Sequence, residues 1–491
     1  MEQQSPTKSD NRRAKHISPP GQESMPDSEQ GVARPWQVFA IVCVGITLAN
    51  MDLFSVNIAL PRIADEFVGA SLEDLSWILN AYAIAYAALL VFFGRLAEGF
   101  RRDRSFILGI GVFAIAAAAC AFATSVWQLV ALRVVAAAGA ALMTPTSLGL
   151  LLASFAPERR GAAVRNWAAI GGFAAALGPL VGGLLVSISW RWIFVVNAII
   201  GAAAMIIAWR TLPHVPGHDV RRPSLIAALL ITGGISALIF AIVKVNAWGW
   251  RSPEILGSAA AAVVMVGLFI AHSLRSSNPL VDPGLFRIRP FTGAALAMFP
   301  YSITFGAMLF SIAIWGQSAW GWSALQAGLA IIPGPLLVPF TSLLFTSRLI
   351  ARFGAAAVVV AGTAFVVVGF AFWATFLSIE PNATLVVIGM ALNGIGVGLT
   401  FPTLMGVSTH ALPPSSFATG SGMINMLRQA AIAIGVAIFV AIIGTPESVQ
   451  ERLAAYQIGW WVMATLTLLT LVPTLIFLRP ARDPAGTPRH T

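Results

Sequence analysis

Apolar residues run in long stretches along most of the chain, and short polar turns separate them. Each stretch holds about twenty residues, the length that an α-helix needs to cross a hydrocarbon core of about 30 Å. The pattern predicts fourteen membrane-spanning helices, at 37–59, 74–94, 105–125, 126–150, 166–188, 192–212, 224–246, 254–274, 291–314, 324–346, 355–378, 383–406, 417–443 and 458–478. An even number of spans places both ends of the chain on one side of the membrane.

The composition supports a membrane protein over a soluble one. Of 491 residues, 57% are hydrophobic and only 10% are charged, whereas a soluble domain carries about 25% charged residues. Cys43 and Cys120 both lie in apolar stretches, so we interpret them as small buried hydrophobes and not as a disulfide or a metal pair. The sequence contains no HExxH, phosphate-loop, GxSxG or Cys/His-cluster motif. We therefore expect no catalytic residue, no metal and no cofactor, and no enzyme activity.

The basic residues are distributed unevenly between the predicted turns. With a cytoplasmic amino terminus, 23 of the 30 Lys and Arg residues fall in cytoplasmic segments and 5 fall outside, while Arg133 and Arg428 lie within spans. This bias predicts a multi-pass protein of the inner (plasma) membrane with both termini in the cytoplasm. The same bias accounts for the net charge of +10. We therefore expect the lipid bilayer, and not nucleic acid, as the partner of the basic residues.

Two weak internal echoes suggest that the chain contains a repeat. At an offset of 257, Gly139, Pro145, Thr146 and Pro157 match Gly396, Pro402, Thr403 and Pro414, and at an offset of 253 the segment 94–109 resembles 347–362. Chance similarity among Ala- and Gly-rich spans is the alternative. A repeat predicts an all-α fold with a disordered cytoplasmic tail 1–35, a six-helix bundle 36–212, two inserted helices with linkers 213–290, a second six-helix bundle 291–479 and a cytoplasmic tail 480–491.

Asp52 is the only carboxylate that the sequence places deep within a span. A charged group is costly there, so it indicates a function. Arg133 lies at a similar depth in the fourth span, roughly 10 Å below the outer surface at 1.5 Å per residue. A carboxylate beside a cation in apolar surroundings can carry protons, or the pair can simply hold two helices in register. Both interpretations remain open.

Other polar residues within spans are candidates for a central cavity. Arg428 lies near the middle of the thirteenth span beside Asn425 and Gln429, and could bind a substrate anion or carbonyl or could brace backbone carbonyls. For the remaining candidates, packing is the alternative to substrate contact; they are Asn57, Tyr82, Tyr86, Trp167, Trp315, Gln317 and Asn393.

Two motifs predict conformational roles. The loop after the second span carries Gly94, Arg95, Glu98 and Arg102, which suit a latch on the cytoplasmic face or an ordinary positive-inside loop. The fifth span carries Gly178, Pro179, Gly182 and Gly183. Small residues at this spacing permit close helix packing, and a proline favours a kink. We expect this segment to seal one face of the cavity.

Taken together, these motifs resemble the fourteen-helix drug:proton antiporter branch of the major facilitator superfamily (EmrB/QacA type), from about residue 37 to 479. The similar segments are 52–61, 94–104, Arg133 with Gly139 and Pro145, 178–183, 190–194 with Asn197, 324–328, and Arg428 with Gln429. The resemblance implies the major facilitator fold and export of drugs, dyes or secondary metabolites against proton entry. In a Gram-negative host, it leaves a periplasmic adaptor open as a partner.

Two other functions are alternatives to export. An importer or uniporter of a small nutrient would share the fold, but the Gly178-Pro179 motif that resembles the antiporters disfavours it. A sensor or membrane enzyme would need an appended domain or a catalytic cluster, and the sequence shows neither.

Overall fold

The computed structural model of the chain describes residues 35–215, 224–276, 279–412 and 417–478, which are almost entirely helical. The two predicted tails lie outside the described residues, except for Pro35. Thirteen helices in the described ranges are long and apolar enough to cross a membrane, and a further helix contributes the apolar segment Leu177–Ile188. The chain is therefore a multi-pass, all-α membrane protein, as the hydrophobic pattern predicts.

A short 3-10 helix, Pro283–Arg287, lies between α8 and α9, and the described residues form fourteen α-helices when two interrupted helices, α10 and α14, are each counted once. They are α1 Pro35–Glu66, α2 Leu72–Gly99, α3 Arg102–Cys120, α4 Val126–Ser154, α5 Pro157–Ile188, α6 Arg191–Thr211, α7 Leu225–Trp248, α8 Pro253–Arg275, α9 Arg289–Ser318, α10 Ala324–Phe353, α11 Ala355–Phe376, α12 Ala383–His410, α13 Phe417–Ile443 and α14 Val449–Phe477.

Serine side chains set the start of many of these helices. Each caps a backbone N–H of the first turn, which has no partner inside the helix. At α2 and α10 the cap is reciprocal, because the side chains of Asp74 and Gln326 accept from the backbone N–H of Ser71 and Ser323. The other capping serines are Ser125, Ser224, Ser252 and Ser448.

Several helices extend beyond the predicted spans; α5, for example, begins at Pro157, nine residues before its predicted start. Three further differences have local causes. α1 continues through Pro61 to Glu66, whose carboxylate accepts hydrogen bonds from Trp190 Nε1 at 2.6 Å and Arg191 at 2.5 Å. α10 is broken near Ile332 and contains a π-turn over Ser342–Thr346, because its prolines remove backbone donors. α14 begins at Val449, nine residues before the predicted start, since Ser448 caps it.

Helix contacts repeat with an interval of eight elements. α3–α4, α2–α4, α1–α5 and α3–α6 pack together, and so do α11–α12, α10–α12, α9–α13 and α11–α14. The echoes in the sequence meet at equivalent crossings. A Cβ on Gly139 would lie 2.7 Å from the carbonyl oxygen of Gly109, and a Cβ on Gly396 would lie 2.6 Å from that of Gly362. Glycine is needed at both crossings for the helix backbones to approach so closely.

Contacts between the repeated groups run mainly through α2–α13 and α5–α10. The helix α7 packs against both α2 and α13, and α8 packs against α7. Only 17% of the most apolar part of α8 is buried, against 82% for α2 and 83% for α9. α2 and α9 therefore lie centrally and α8 at the periphery. The domain boundaries inferred from the sequence stay a prediction.

Candidate functional site

Asp52 is enclosed by three helices. Its Oδ2 atom accepts a hydrogen bond from Arg133 NH1 of α4, and its Oδ1 atom accepts one from Asn197 Nδ2 of α6 at 3.0 Å. Asp52 is 1% exposed, and Arg133 and Asn197 are fully buried. Both carboxylate oxygens are thus bound by donors from outside α1. The structure brings together the acid and the cation that the sequence placed at one depth.

Aromatic and backbone groups complete the surroundings of Arg133. Its guanidinium carbon lies 4.1 Å from the ring centroid of Tyr82 on α2, and its Nε donates to the carbonyl oxygen of Ile78 at 3.3 Å. A cation over an aromatic face is attracted to the ring quadrupole, the more so when water is excluded. Arg133 NH2 has no hydrogen-bond partner among the described residues. Arg133 therefore contacts Asp52, Tyr82 and Ile78, and its NH2 group is the donor that has no partner among the described residues.

A tyrosine pair extends from the ion pair along α2. The rings of Tyr82 and Tyr86 stack with centroids 6.0 Å apart and planes 8° apart. The hydroxyl of Tyr86 lies 3.0 Å from Thr144 Oγ1 on α4. Tyr82 is 1% exposed, and its hydroxyl finds no partner among the described residues. Tyr82 thus packs directly against Arg133 of the ion pair, and Tyr86 stacks on Tyr82.

Asn57 lines a cavity between α1, α2, α9 and α13. Asn80 lines the same cavity from α2, and the other lining side chains are apolar. Asn57 Oδ1 and both amide atoms of Asn80 lack hydrogen-bond partners in the described part of the chain. The sequence pattern does not single out Asn80, whose neighbours are decided only by the packing of the four helices.

Arg428 belongs to the second group of helices. Its guanidinium carbon is 5.8 Å from the ring centroid of Phe401 on α12, and its Nε has no partner within the described ranges. Gln429 beside it is buried, and its Oε1 is likewise unpartnered there. Asn425 is half-buried one turn earlier on α13. These three polar residues stay a predicted substrate contact.

Three other candidates from the sequence, Trp315, Asn393 and Gln317, pack against or hydrogen-bond to other groups of the protein. Trp315 is fully buried against the rings of Trp320, Tyr456 and Trp460, at 5.9, 5.0 and 6.0 Å between centroids. Asn393 Nδ2 donates to the carbonyl oxygen of Gly389 in its own helix, at 2.9 Å.

Gln317 Nε2 donates to the carbonyl oxygen of Ile58 at 3.2 Å, which ties the end of α9 to α1. The half-buried Trp167 has no partner for its Nε1 among the described residues. Of these four candidates, Trp167 alone presents an unpaired donor without sitting in an aromatic cluster.

The glycines of α5 pack in two directions. A Cβ on Gly178 would lie 2.6 Å from Phe54 Cβ, and one on Gly182 would lie 2.9 Å from Ser55 Cα, so both face α1. Ser55 Oγ also donates to the carbonyl oxygen of Gly178 at 2.8 Å. Gly183 faces α10 instead, where its Cβ would lie 2.7 Å from the carbonyl oxygen of Ala324.

Pro179 also faces α10, because its carbonyl oxygen contacts the position where Gly328 would carry a Cβ. One short segment of α5 thus packs tightly against its own group of helices and against the other group.

The loop motif after α2 contacts α4. A Cβ on Gly94 would lie 3.6 Å from Pro145 Cβ, and Arg102 NH1 donates to the carbonyl oxygen of Gly149 at 3.4 Å. The side chains of Arg95 and Glu98 lie outside the described residues, so the predicted latch pairing stays a prediction. Asp103 is a second buried carboxylate, and it pairs with Arg101 at 2.6 Å. It stands in the first turn of α3, not deep in the helix.

Curated relatives cover most of the chain. A methylenomycin A resistance protein of Bacillus subtilis (strain 168) is 32% identical over 83% of this chain and 87% of its own length. A tetracenomycin C resistance and export protein of Streptomyces glaucescens is 29% identical over 84% of this chain and 76% of its own length.

Solved structures share the fold at lower sequence identity. The human organic anion transporter MFSD10 (TETRAN) aligns with a TM-score of 0.60 and 17% identity, over 90% of this chain and 99% of its own. An auto-inhibited POT family peptide transporter aligns with a TM-score of 0.66 and 15% identity, over 92% and 99%. The family model described as Major Facilitator Superfamily matches residues 42–316 and 291–491. By its fold and by this match, the chain belongs to the major facilitator superfamily.

Proposed function

We propose that this protein is a proton-coupled antiporter that exports small organic molecules by alternating access. The observation that carries the proposal is the buried carboxylate of Asp52, held by Arg133 and Asn197 from two other helices. The names of the relatives, resistance and export proteins for antibiotics, support export as the direction. A nutrient importer or uniporter is the alternative, and no contact in the structure favours it.

A proton on Asp52 would change what holds the three helices together. The carboxylate accepts from a cation and from an amide, and protonation removes the negative charge that both donors bind. Arg133 would then be left as a buried cation without its counterion, an unfavourable state that movement of α1 relative to α4 and α6 can relieve. Uptake and release of one proton at Asp52 would thereby bias the helix arrangement, and release would restore the pair.

The contacts across the halves indicate which end moves. Two contacts cross between the halves, the hydrogen bond from Gln317 to Ile58 and the close approach of Gly183 to Ala324. Both lie on the side of the membrane opposite the start of α1. Opening that face to the outside requires these contacts to break. We place the start of α1 on the cytoplasmic side of the inner (plasma) membrane, because the basic residues are concentrated in turns on that side.

The deciding experiment replaces Asp52 with Asn and measures efflux. Inside-out vesicles with an acid interior contain the parent protein, the Asp52→Asn variant or the Asp65→Asn variant. Ethidium or another transported dye is added to each, and its uptake into the vesicles is measured. Asp65 is the matched control, because it lies on the same helix with a 71% exposed side chain. The parent and the control should accumulate dye and dissipate the proton gradient, while Asp52→Asn should do neither.

Full proton-driven transport by Asp52→Asn would contradict the role of this carboxylate. Accumulation of the transported molecule inside intact cells because of the protein would replace export by import. The placement of both termini in the cytoplasm can be tested with a fluorescent tag on each terminus in spheroplasts. Tags that an external quencher does not reach would support this placement, and quenched tags would put the termini outside.

A further inference from the structure

A groove runs between α1 and α6, on the side of these helices that faces lipid. Its volume is about 440 Å³. Alanines 40, 203 and 204 leave a hollow between the larger side chains of Ile41 and Ile207. Ile207 is 51% exposed although α1 and α6 pack against each other. The groove therefore opens away from the protein and into the hydrocarbon of the membrane.

The groove has about the length of one membrane leaflet. Its lining on α6 extends from Ile199 to Thr211, and at 1.5 Å per residue this distance is about 18 Å. Half of a hydrocarbon core of about 30 Å is about 15 Å. One extended acyl chain of a phospholipid covers one leaflet, so a single chain matches the groove from end to end.

Polar side chains occur at only one end of the groove. Gln37 lies in the first turn of α1 and Thr211 is the last residue of α6, while all the other lining side chains are apolar. Trp36 and Trp209, close to these two residues in the chain, are 61% and 78% exposed. Tryptophan is enriched where the hydrocarbon core meets the headgroups. A matching ligand therefore has a polar group at this end and a long apolar chain along the rest.

The charge at the polar end favours an anionic headgroup. Arg210 precedes Thr211 in the last turn of α6, and its side chain is exposed. The neighbouring helix α3 carries a carboxylate in its first turn, Asp103, but this group is already paired with Arg101 at 2.6 Å. A basic residue near the membrane surface attracts anionic lipid headgroups. Arg210 thus supplies the counterion for a phospholipid whose chain lies in the groove.

The two helices that form the groove also hold the acid of the proposed proton site. α1 carries Asp52, and α6 carries Asn197, whose Nδ2 donates to Asp52 at 3.0 Å. The groove ends at Ile199, two residues from Asn197. A chain bound in the groove would therefore contact both helices at once and stabilise their packing next to that hydrogen bond.

We infer that the groove between α1 and α6 binds one phospholipid with an anionic headgroup, which places its acyl chain in the groove and its headgroup beside Gln37, Arg210 and Thr211. The inference goes beyond the proposed function, because it concerns a resident membrane lipid and not a transported molecule. Lipid binding can be measured without any transport and for either orientation of the protein in the membrane.

The test counts the lipids bound to the purified full-length protein in detergent by native mass spectrometry. Three lipids are titrated separately: palmitoyl-oleoyl phosphatidylglycerol, which is anionic, phosphatidylcholine with the same two chains, which has no net charge, and dihexanoyl phosphatidylglycerol, which has short chains. The parent protein should bind one long-chain phosphatidylglycerol about fivefold more tightly than phosphatidylcholine, the effect of one arginine near the headgroup. The short-chain lipid should bind most weakly, because it buries the fewest methylene groups.

Two variants separate the chain from the headgroup. Ala203→Phe fills the groove and should lower the affinity for both long-chain lipids about tenfold, the effect of leaving about two methylene groups unburied. Its matched control is Ala261→Phe, at an exposed alanine of α8 outside the groove. Arg210→Gln should abolish the preference for phosphatidylglycerol and leave phosphatidylcholine affinity unchanged. Its control is Arg275→Gln, at an exposed arginine in the last turn of α8, which should keep the preference.

Equal affinity of the parent protein for the two headgroups overturns the inference and leaves the groove to bulk lipid. A phosphatidylglycerol preference that survives in both Ala203→Phe and Arg210→Gln also overturns it, because the anionic lipid then binds elsewhere. Ala40→Phe fills the same groove from α1, so it replaces Ala203→Phe if that variant does not fold. Failure of the export proposal is a separate result, since it would appear as an absence of proton-driven dye transport in the parent protein while these lipid affinities remained.

Discussion

The donors around Asp52 differ in what the sequence reveals about them. Arg133 stands out as a charge within a span, but Asn197 is one polar residue in an otherwise apolar helix. The structure gives Asn197 an equal share of the carboxylate, since each takes one oxygen. Its membership in a motif similar to the drug:proton antiporters was the only available signal.

Removal of Arg133 should destabilise the protein more than removal of the whole pair. Arg133→Met leaves Asp52 as a buried charge held by one amide, at a cost of about 3–5 kcal/mol. Asp52→Leu with Arg133→Met removes both charges and should recover most of that loss. Thermal unfolding of the purified single and double variants measures the difference. If the melting temperature of the double variant is no higher than that of Arg133→Met, the two charges are not coupled.

Asn197 should act on coupling through its amide N–H. Asn197→Leu removes the donor to Asp52 Oδ1 and retains the size of the side chain. We expect proton-driven efflux and its pH profile to change, because Asp52 loses one of the two donors that hold its carboxylate, while the protein still reaches the membrane. Gln at this position keeps an amide and should restore part of the parent profile. A profile identical to the parent in Asn197→Leu would limit this residue to packing.

At the scale of elements, the glycines of α5 contact two different helices, α1 and α10, and we expect the two contacts to have different roles. Gly178 and Gly182 lie against Phe54 and Ser55 of α1, within one group of helices. Gly183 lies against Ala324 of α10, in the other group. The α1 contact joins helices that the sequence repeat assigns to one bundle, and the α10 contact joins two groups of helices that would separate in the proposed alternating access.

Two neighbouring substitutions should therefore fail differently. Gly182→Leu forces α5 away from the helix that carries Asp52, so it should lower the melting temperature and the amount of folded protein. Gly183→Leu obstructs the approach of α10, so it should leave folded protein in the membrane but reduce efflux strongly. Melting temperature and dye efflux, measured on both variants, separate the two effects. Equal loss of folded protein in both would mean that the α5–α10 contact is needed for folding.

At the scale of the whole molecule, α7 connects the two groups of helices at one end. Lys244 pairs with Glu73 at 3.1 Å and Asp74 at 3.4 Å on α2, and Asn246 Nδ2 donates to the carbonyl oxygen of Ala441 on α13. The inserted helices thus do more than lengthen the chain, because α7 contacts α2 and α13, which also contact each other. Any separation of the halves at this end must change these contacts.

The Lys244 ion pair should affect the rate of transport more than stability. Its side chain is only 19% exposed, but ion pairs near a surface contribute at most about 1 kcal/mol. Lys244→Glu places three carboxylates together and should slow efflux by loosening α7 from α2. Combining it with Glu73→Lys restores opposite charges and should recover the rate. Efflux assays of the single and combined variants decide; no recovery in the combined variant would exclude the pairing as the cause.

The sequence by itself determined the class of fold, because the bilayer imposes a length and an apolar composition on every span. It also singled out Asp52 and Arg133 as charges within spans, where a charge is costly, and the structure pairs the two side chains. The repeat in the sequence matches Gly139 with Gly396 and Gly109 with Gly362, and the structure places these glycines at two equivalent helix crossings.

Only the tertiary structure decided which neighbour each polar or small residue meets. Lipid tails are as apolar as a protein interior, so hydrophobicity does not distinguish a helix face toward lipid from one toward another helix. For this reason Trp315 suited a cavity by sequence but lies in an aromatic cluster, while Asn80 escaped notice and lies unpartnered in a cavity. The partners of Asp52 are likewise a property of three helices packed together, which no single helix can encode.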